Sequence, residues 1–277
     1  MKELKIKSDQ ERIFFTTVKI TNIKKNGKST IGTGSFFEYK IESGDMLGKY
    51  SIFLVTNKHV IENASELKLS FNKRIDKDTI RFGNKFSINL KDFNFEWFKH
   101  PNKDIDLAIY PFTPVLKSLR KKKGEDQLPF IQNIVKRITL INKYENINPI
   151  EDVFFIGYPR DIYDKKNNIP LIRKGITATP IMINYMERPV FLIDGAIFPG
   201  SSGSPVFICN DGGYTLNGKL YMGIRTIFLG VLSTGFKNID GQIWNKNKPY
   251  MDLGVVIKAE VILDLIERYL KQNRITS

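Results

Sequence analysis

Short runs of β-branched and aromatic residues recur along this 277-residue chain, and they constrain its fold more than any other feature. They fill most of residues 12–112 and 151–258, with polar or glycine-containing turn signals between them. This pattern predicts an all-β fold in which many short strands are joined by tight turns. Predicted strands in the first half are residues 12–21, 32–39 and 50–56, with a hairpin tip at 42–45.

Composition sets further bounds on the chain. Hydrophobic residues make up 42% and charged residues 26%, which is enough apolar material for a large core and excludes global disorder. No apolar run approaches the roughly 18 residues that cross a bilayer, and the N-terminus lacks the apolar centre of a signal peptide. With Cys209 as the single cysteine, no internal disulfide is available. We therefore expect a cytoplasmic protein that does not interact with membranes, with Cys209 as a small buried residue.

The net charge of +14 raises the question of a nucleic-acid partner. The basic residues are scattered, however, and no aromatic side chains are interleaved with the one dense basic cluster, residues 117–123. That cluster is interpreted as a solvated loop because its like charges repel one another. Nucleic acid is not the expected partner.

A serine held in a glycine frame stands out in residues 198–207, Phe-Pro-Gly-Ser-Ser-Gly-Ser-Pro-Val-Phe. Gly200 and Gly203 give the backbone φ angles that other residues avoid, so a tight turn can expose the hydroxyl of Ser202. The same turn can direct successive N–H groups at one point, as a nucleophile beside an oxyanion site requires. Serine–glycine turns are also common loops, so the motif needs a partner base.

The chain contains two histidines, and one of them is a candidate base. His59 follows the most apolar predicted strand of the first half, whereas His100 precedes a proline in a polar segment and is predicted to lie on the surface. An acidic residue that could orient His59 occurs where a short apolar strand begins. Asp106 is the better candidate because that strand starts directly after it, and Asp104 is the alternative.

His59, Asp106 and Ser202 occur in the chain order of the chymotrypsin-type triad, with separations of 47 and 96 residues. The blocks around them resemble the three motif blocks of trypsin-like serine peptidases, most closely the bacterial branch of the high-temperature-requirement proteases. The resemblance covers roughly residues 12–270. The blocks that carry it are 56–60, 106–108 and 200–205, with supporting similarity at 157–159, 194–200, 230–233 and 254–257.

The resemblance implies two six-stranded antiparallel β-barrels with the site in the cleft between them. The implied domains are residues 1–115 with the histidine and aspartate, a connection over 116–150, and 151–258 with the serine. Within the connection, residues 128–141 are compatible with a short helix or a strand. Apolar residues at helical spacing over 259–270 add a C-terminal helix within 259–277, expected to pack on the second barrel.

The resemblance also implies the chemistry, that of a serine endopeptidase. Ser202 would attack the peptide carbonyl, His59 would act as the base, and Asp106 would orient its imidazole. The N–H groups of Gly200 and Ser202 would form the oxyanion hole. The implied substrate-binding residues are Ala196 at the base of the specificity pocket and Ser233, Thr234 and Gly235 along the substrate backbone.

Ala196 provides only a methyl group where trypsin has an acid, so cleavage after small or medium apolar residues is expected. The expected partners are a protein or peptide substrate and a regulatory protein, and the motifs imply no cofactor and no metal.

Two positions depart from the family pattern. Ser201 stands where animal digestive enzymes carry an aspartate that pairs with a newly cut N-terminus, which argues against activation by propeptide cleavage. Ser204 replaces a second glycine. Two alternatives remain open at this point: a catalytically silent two-barrel module that binds peptides, and a basic nucleic-acid-binding protein.

Overall fold

Two β-sheet units, packed against each other, make up most of the computed structural model, which describes residues 3–42, 47–93, 95–135, 147–235 and 252–273. The hairpin tip expected at 42–45 therefore lies, from residue 43 onward, outside the described residues. No helix in the described part of the chain has the length and apolar character needed to cross a membrane.

The first unit is a nine-stranded sheet with the order β1-β6-β5-β2-β3-β4-β8-β7, to which β9 adds by parallel pairing with β3. Its strands are β1 Glu3–Lys5, β2 Thr17–Lys24, β3 Ser29–Lys40, β4 Tyr50–Thr56, β5 Ala64–Arg74, β6 Thr79–Asn89, β7 Phe98–Lys99, β8 Ala108–Pro111 and β9 Ile134–Val135.

Among the described residues this first sheet is open, so the prediction of two closed six-stranded barrels is wrong for the first half. The strands at its two ends are short, with three residues in β1 and two in β7. Each of them pairs with a single neighbour, β6 for β1 and β8 for β7, so the ladder of hydrogen bonds ends at both sides without closing.

The second unit is a closed six-stranded barrel with the order β10-β11-β12-β17-β16-β13, as predicted for this half. A two-stranded hairpin, β14–β15, projects from it. Its strands are β10 Asp152–Gly157, β11 Leu171–Thr177, β12 Val190–Asp194, β13 Pro205–Asn210, β14 Gly213–Leu216, β15 Lys219–Met222, β16 Arg225–Gly235 and β17 Leu253–Lys258.

Within the described ranges, four α-helices accompany the sheets: α1 Asp9–Phe14, α2 Lys58–Ile61, α3 Thr113–Lys123 and α4 Ala259–Gln272. Helix α1 occupies the start of the strand predicted over residues 12–21. The cause is a capping box, in which the Ser8 side chain accepts from the N–H of Glu11 while the Glu11 carboxylate accepts from the N–H of Ser8. This pair satisfies two N–H groups at the helix start and outweighs the strand propensity of the residues that follow.

Helix α3 contains the basic cluster at residues 117–123 that was predicted to be a loop. Val115 and Leu119, four residues apart, are buried on one face, which anchors the helix to the first unit. Four of its five basic residues, 120–123, lie in the last turn, where the helix dipole favours positive charge, and Gly124 ends the helix with a φ of 81°. Of the 128–141 run, Ile134–Val135 forms β9, and residues 136–141 lie outside the described residues.

Helix α4 forms as predicted, but it contacts both units rather than the second barrel alone. Its buried face, which includes Ile262 and Leu265, belongs to one apolar cluster with barrel residues such as Val231. On the other side the Tyr269 ring packs edge-on against Phe53 and Phe98 of the first sheet, each with ring centroids 5.6 Å apart. The helix therefore fixes the two units relative to each other through buried apolar surface.

Candidate active site

Strand register brings two of the predicted site residues together. Thr56 at the end of β4 pairs with Ala108 at the start of β8, so His59 just after β4 lies beside Asp106 just before β8. The His59 Nδ1 atom is 2.6 Å from Asp106 Oδ2, and the His59 backbone N–H donates to Asp106 Oδ1 at 3.2 Å. Asn57, the residue before helix α2, steadies the pair by donating its side-chain amide to the Asp106 carbonyl at 2.8 Å.

The Asp106 carboxylate also receives a hydrogen bond from the second unit. Ser233 on β16 donates its hydroxyl to Asp106 Oδ2 at 3.0 Å. Burial disfavours the charged carboxylate, but the hydrogen bonds from His59 and Ser233 outweigh it and hold the pKa of Asp106 below its ordinary value. Asp106 is therefore an anion at neutral pH. The alternative, Asp104, is exposed and takes part in a turn with Asn102 instead.

The glycine-framed turn lies between the two units, directly before β13. Gly203 has a φ of 86°, and a Cβ at this position would lie 1.9 Å from the Thr33 carbonyl oxygen, so only glycine fits. The Gly203 N–H donates to Leu232 O at 2.7 Å, and the Ser202 carbonyl accepts from the Thr33 N–H at 2.8 Å. Thr56, three residues before His59, donates its hydroxyl to the same Thr33 carbonyl at 2.7 Å. The turn is thereby fixed next to the segment that carries His59.

The three serines of the turn differ in exposure. Ser202 retains 9% of its accessible surface, whereas Ser201 and Ser204 retain 2% and 1%. The hydroxyl oxygens of Ser201 and Ser204 are fully buried and have no hydrogen-bond partner within the described residues. In the described chain no hydrogen bond joins the Ser202 hydroxyl to His59.

The backbone N–H groups of the turn around Ser202 fall into two sets, those bonded within the protein and those without an acceptor among the described residues. The N–H groups of Ser201, Gly203 and Ser204 donate to carbonyls of Phe198, Leu232 and Ser201. Those of Gly200 and Ser202, the two predicted oxyanion donors, have no acceptor in the described part of the chain. Gly200 has a φ of 97°, which frees its N–H from the turn's own bonding.

A support for this turn escaped the sequence analysis. The Arg160 N–H donates to the Pro199 carbonyl at 2.6 Å, and a Cβ on Gly200 would lie 2.4 Å from the Tyr158 carbonyl oxygen. Arg160 and Asp161 have positive φ angles of 49° and 58°, which no sequence motif indicates for such residues. Lys19 of the first sheet holds this segment by an ion pair with Asp161 at 2.9 Å.

A protein-family model described as the trypsin-like peptidase domain matches residues 32–214 of the chain. The match covers more than half of the chain and includes the segments that carry all three predicted triad residues. The chain belongs to the trypsin-like peptidase family. No curated protein matches it.

Solved structures of HtrA-type proteases share the fold of this trypsin-like chain. One is described as the HtrA-type protease AlgW with a tripeptide; it is 15% identical, with a TM-score of 0.52, over 95% of this chain and 62% of that one. A second, a variant of AlgW with a decapeptide, is 12% identical with a TM-score of 0.52, over 96% and 68% of the two chains. The chain thus spans about three-fifths of the length of the first of these proteases.

The predicted substrate-binding residues line the strand and loop that flank the serine turn. Ala196 is partly buried, and its carbonyl accepts a hydrogen bond from Arg173 Nη1 at 2.6 Å. Ser233 lies on β16, where its hydroxyl bonds to Asp106, a contact the sequence did not predict. Thr234 and Gly235 end β16, and the Thr234 side chain lies outside the described part of the structure.

His100 is buried rather than on the surface, contrary to the prediction. It retains 9% of its accessible surface, and its Nδ1 accepts from the Asn102 N–H at 3.2 Å. Its backbone N–H donates to Leu107 O, which fixes the loop that leads to Asp106. Burial lowers the pKa of His100, so its imidazole is neutral at pH 7 and supports the loop.

The environment of Cys209, the single cysteine, excludes its thiol as a nucleophile. Burial raises the pKa of the Cys209 thiol to about 12, so the reactive thiolate is not formed at neutral pH. Cys209 packs beside the apolar cluster shared by α4 and the barrel but is only partly buried, so the expectation of a small buried residue is met in part.

Proposed function

We propose that the chain is a serine endopeptidase that hydrolyses peptide bonds through His59, Asp106 and Ser202. One observation carries the proposal: His59 and Asp106 are 2.6 Å apart, and Thr56 and Thr33 link their segment to a serine turn in which the Gly200 and Ser202 N–H groups have no acceptor among the described residues. The family match supports a serine-type peptidase. A peptide-binding role without catalysis gives no physical reason to hold an ionised aspartate against a histidine at such a turn.

The geometry suits a stepwise acyl transfer. Because Asp106 engages His59 at Nδ1, the free Nε2 is the atom that takes the proton from Ser202 as its oxygen attacks the carbonyl carbon. The negative charge then formed on the carbonyl oxygen is stabilised by the N–H groups of Gly200 and Ser202, each worth roughly 3 kcal/mol.

His59 next donates the proton to the leaving amine, which leaves an acyl-enzyme on Ser202. A water molecule, deprotonated by the same imidazole, attacks this ester. The imidazolium then returns the proton to the Ser202 oxygen as its bond to the acyl carbon breaks, which releases the carboxylic acid and restores the free enzyme. The hydrogen bond from Ser202 to His59 forms in this account when substrate occupies the site, as is common for catalytic contacts that are long in the free enzyme.

A fluorophosphonate probe tests this proposal directly. We expect one covalent adduct on the wild-type protein, mapped by mass spectrometry to the peptide that contains Ser202, because only an activated serine attacks the phosphorus centre. The Ser201→Ala and Ser204→Ala proteins serve as controls and should label like the wild type. An unlabelled wild-type protein would instead favour the silent peptide-binding module. An adduct on Ser201 or Ser204 would show that another serine of the turn is the nucleophile.

We further propose cleavage after small or medium apolar residues. Ala196 provides a methyl group at the expected pocket base, and the guanidinium of Arg173 bonded to its carbonyl places positive charge nearby. Asp194, two residues before Ala196, and Asp252, directly before β17, are both exposed. A cationic side chain would therefore be desolvated without a partner.

Digestion of a random peptide library, read by mass spectrometry, checks this preference. Val, Ala, Leu and Ile should be enriched before the cut, in a graded way because one methylene is worth roughly 1 kcal/mol. Dominant cleavage after Lys or Arg would contradict the proposal and indicate that Asp194 or Asp252 reaches the pocket.

The nucleic-acid alternative predicts that a DNA column retains the protein and that this retention falls steeply as the salt concentration rises. The same protein preparation can be used for this measurement.

A further inference from the structure

A small pocket lies beside the serine turn, and the chemistry of its walls differs from that of the catalytic residues. It has a volume of about 240 Å³ and is lined by Pro159, Arg160, Ile162, Leu171, Arg173 and Phe198. Four of these residues are apolar and two carry a guanidinium. Such a wall suits a ligand with both an apolar part and an acidic part.

The two guanidinium groups stack on the same aromatic ring. The Arg160 guanidinium carbon is 4.5 Å from the centroid of the Phe198 ring, and that of Arg173 is 4.8 Å away. A guanidinium over a ring can still donate through its N–H groups, and the Nη1 of Arg173 is used in this way by the Ala196 carbonyl. Two N–H groups of one guanidinium can together bind a carboxylate.

Neither arginine has an acidic partner in the described part of the chain. The recorded side-chain hydrogen bond of Arg173 goes to the Ala196 carbonyl, which is neutral. The nearest acid in sequence, Asp161, is already paired with Lys19 at 2.9 Å and Lys165 at 3.4 Å. Two unpaired cations over an apolar floor are complementary to an anion, and a net charge of +14 attracts anions further.

The position of the pocket connects it to a bound peptide. Phe198 is two residues before Gly200 and four before Ser202, so the Cα atom of this pocket residue lies at most about 14 Å from that of the proposed nucleophile. An extended peptide rises about 3.3 Å per residue, so a side chain within about four residues of the scissile bond can reach it.

We propose that this pocket is a subsite for an acidic side chain of the substrate, within about four residues of the cut. The inference rests on the proposed peptidase function. It assigns Arg160 and Arg173 to substrate selection, so the preferred substrate combines an apolar residue at the cleavage point with a nearby glutamate or aspartate.

Binding to the Ser202→Ala protein tests the subsite without requiring turnover. The probes are fluorescein-labelled eight-residue peptides with a central leucine and one glutamate scanned through the other positions, each matched by a peptide with glutamine there. We expect at least one glutamate peptide to bind about tenfold more tightly than its glutamine match, with a preference that shrinks as salt rises.

Three further substitutions, each made in the Ser202→Ala protein, test which residues cause the preference for glutamate over glutamine peptides. Arg160→Gln and Arg173→Gln should each reduce the glutamate preference to about twofold or less. Arg160→Gln is the cleaner of the two because the backbone bond from residue 160 to Pro199 is retained. Arg81→Gln, which removes a guanidinium paired with Glu3 on the first sheet, should keep the preference and controls for net charge.

Equal binding of every glutamate and glutamine pair would overturn the subsite, and so would an equal loss of preference in Arg81→Gln. A free acidic peptide added to the wild-type protein should inhibit cleavage by competition; stimulation would show a regulator's site instead of a substrate subsite. The fluorophosphonate result is independent of these measurements, so failure of the subsite and failure of the proposed chemistry are distinguishable.

Discussion

Replacing Ser202 with alanine is expected to lower kcat/KM for a fluorogenic apolar peptide by about 10⁴-fold or more. The substitution removes the attacking oxygen, and what remains is the smaller rate acceleration due to substrate binding and the oxyanion donors. The fold should be retained, because no hydrogen bond of the Ser202 hydroxyl is recorded in the described chain and its backbone carbonyl still accepts from Thr33. The thermal unfolding midpoint, measured beside activity, checks this.

Ser201→Ala and Ser204→Ala are the matched controls for that experiment. Both remove a hydroxyl from the same turn, but these hydroxyls are buried where a substrate carbonyl has no access. Each variant should keep its rate within a few-fold of the wild type. If Ser202→Ala retained wild-type activity, or if either control lost as much, the nucleophile would have to be reassigned.

His59→Ala should lose activity to a similar extent, by about 10⁴-fold or more, while His100→Ala should retain most of it. His59 is the histidine in contact with Asp106, and without it nothing in the described site takes the proton from Ser202. His100 instead accepts the Asn102 N–H in a buried loop, so its loss should lower the free energy of unfolding by roughly 1–3 kcal/mol. Steady-state kinetics and chemical denaturation separate the two effects.

The pH dependence provides a second readout for this pair. Wild-type activity should fall on acidification, since a protonated imidazole cannot accept a proton, and the His100→Ala protein should show the same profile. Asp106 has a lowered pKa and therefore stays charged while the imidazole of His59 takes up its proton. Equal losses in both histidine variants would contradict the assignment of His59 as the base.

The elements of the site that the sequence predicts are those set by local chain geometry. The glycine frame around Ser202 and the strand start after Asp106 are local features, and the structure places Asp106 rather than Asp104 against His59. The C-terminal helix was predictable for the same reason, because its apolar spacing is local. The capping box at Ser8 and Glu11 is also a local feature of the sequence, but the prediction of a strand over residues 12–21 did not take it into account.

Other features depend on contacts between distant segments, and no local pattern encodes them. Whether the first sheet closes depends on which strands meet at its edges. The burial of His100 depends on the packing around its loop, so its polar sequence context misleads. The left-handed conformations of Arg160 and Asp161 are stabilised by the ion pair of Asp161 with Lys19 and by the hydrogen bond of the Arg160 N–H to the Pro199 carbonyl. Both partners are far away in sequence.

The placement of α4 links the two parts of the proposed active site. The proposed base, His59, follows a strand of the first sheet, and the proposed nucleophile, Ser202, precedes a strand of the barrel. Tyr269 of α4 packs against Phe53 on one side, and Leu265 joins the barrel cluster on the other. We therefore expect the alignment of His59 with Ser202 to depend on α4, a segment that follows both residues in the chain.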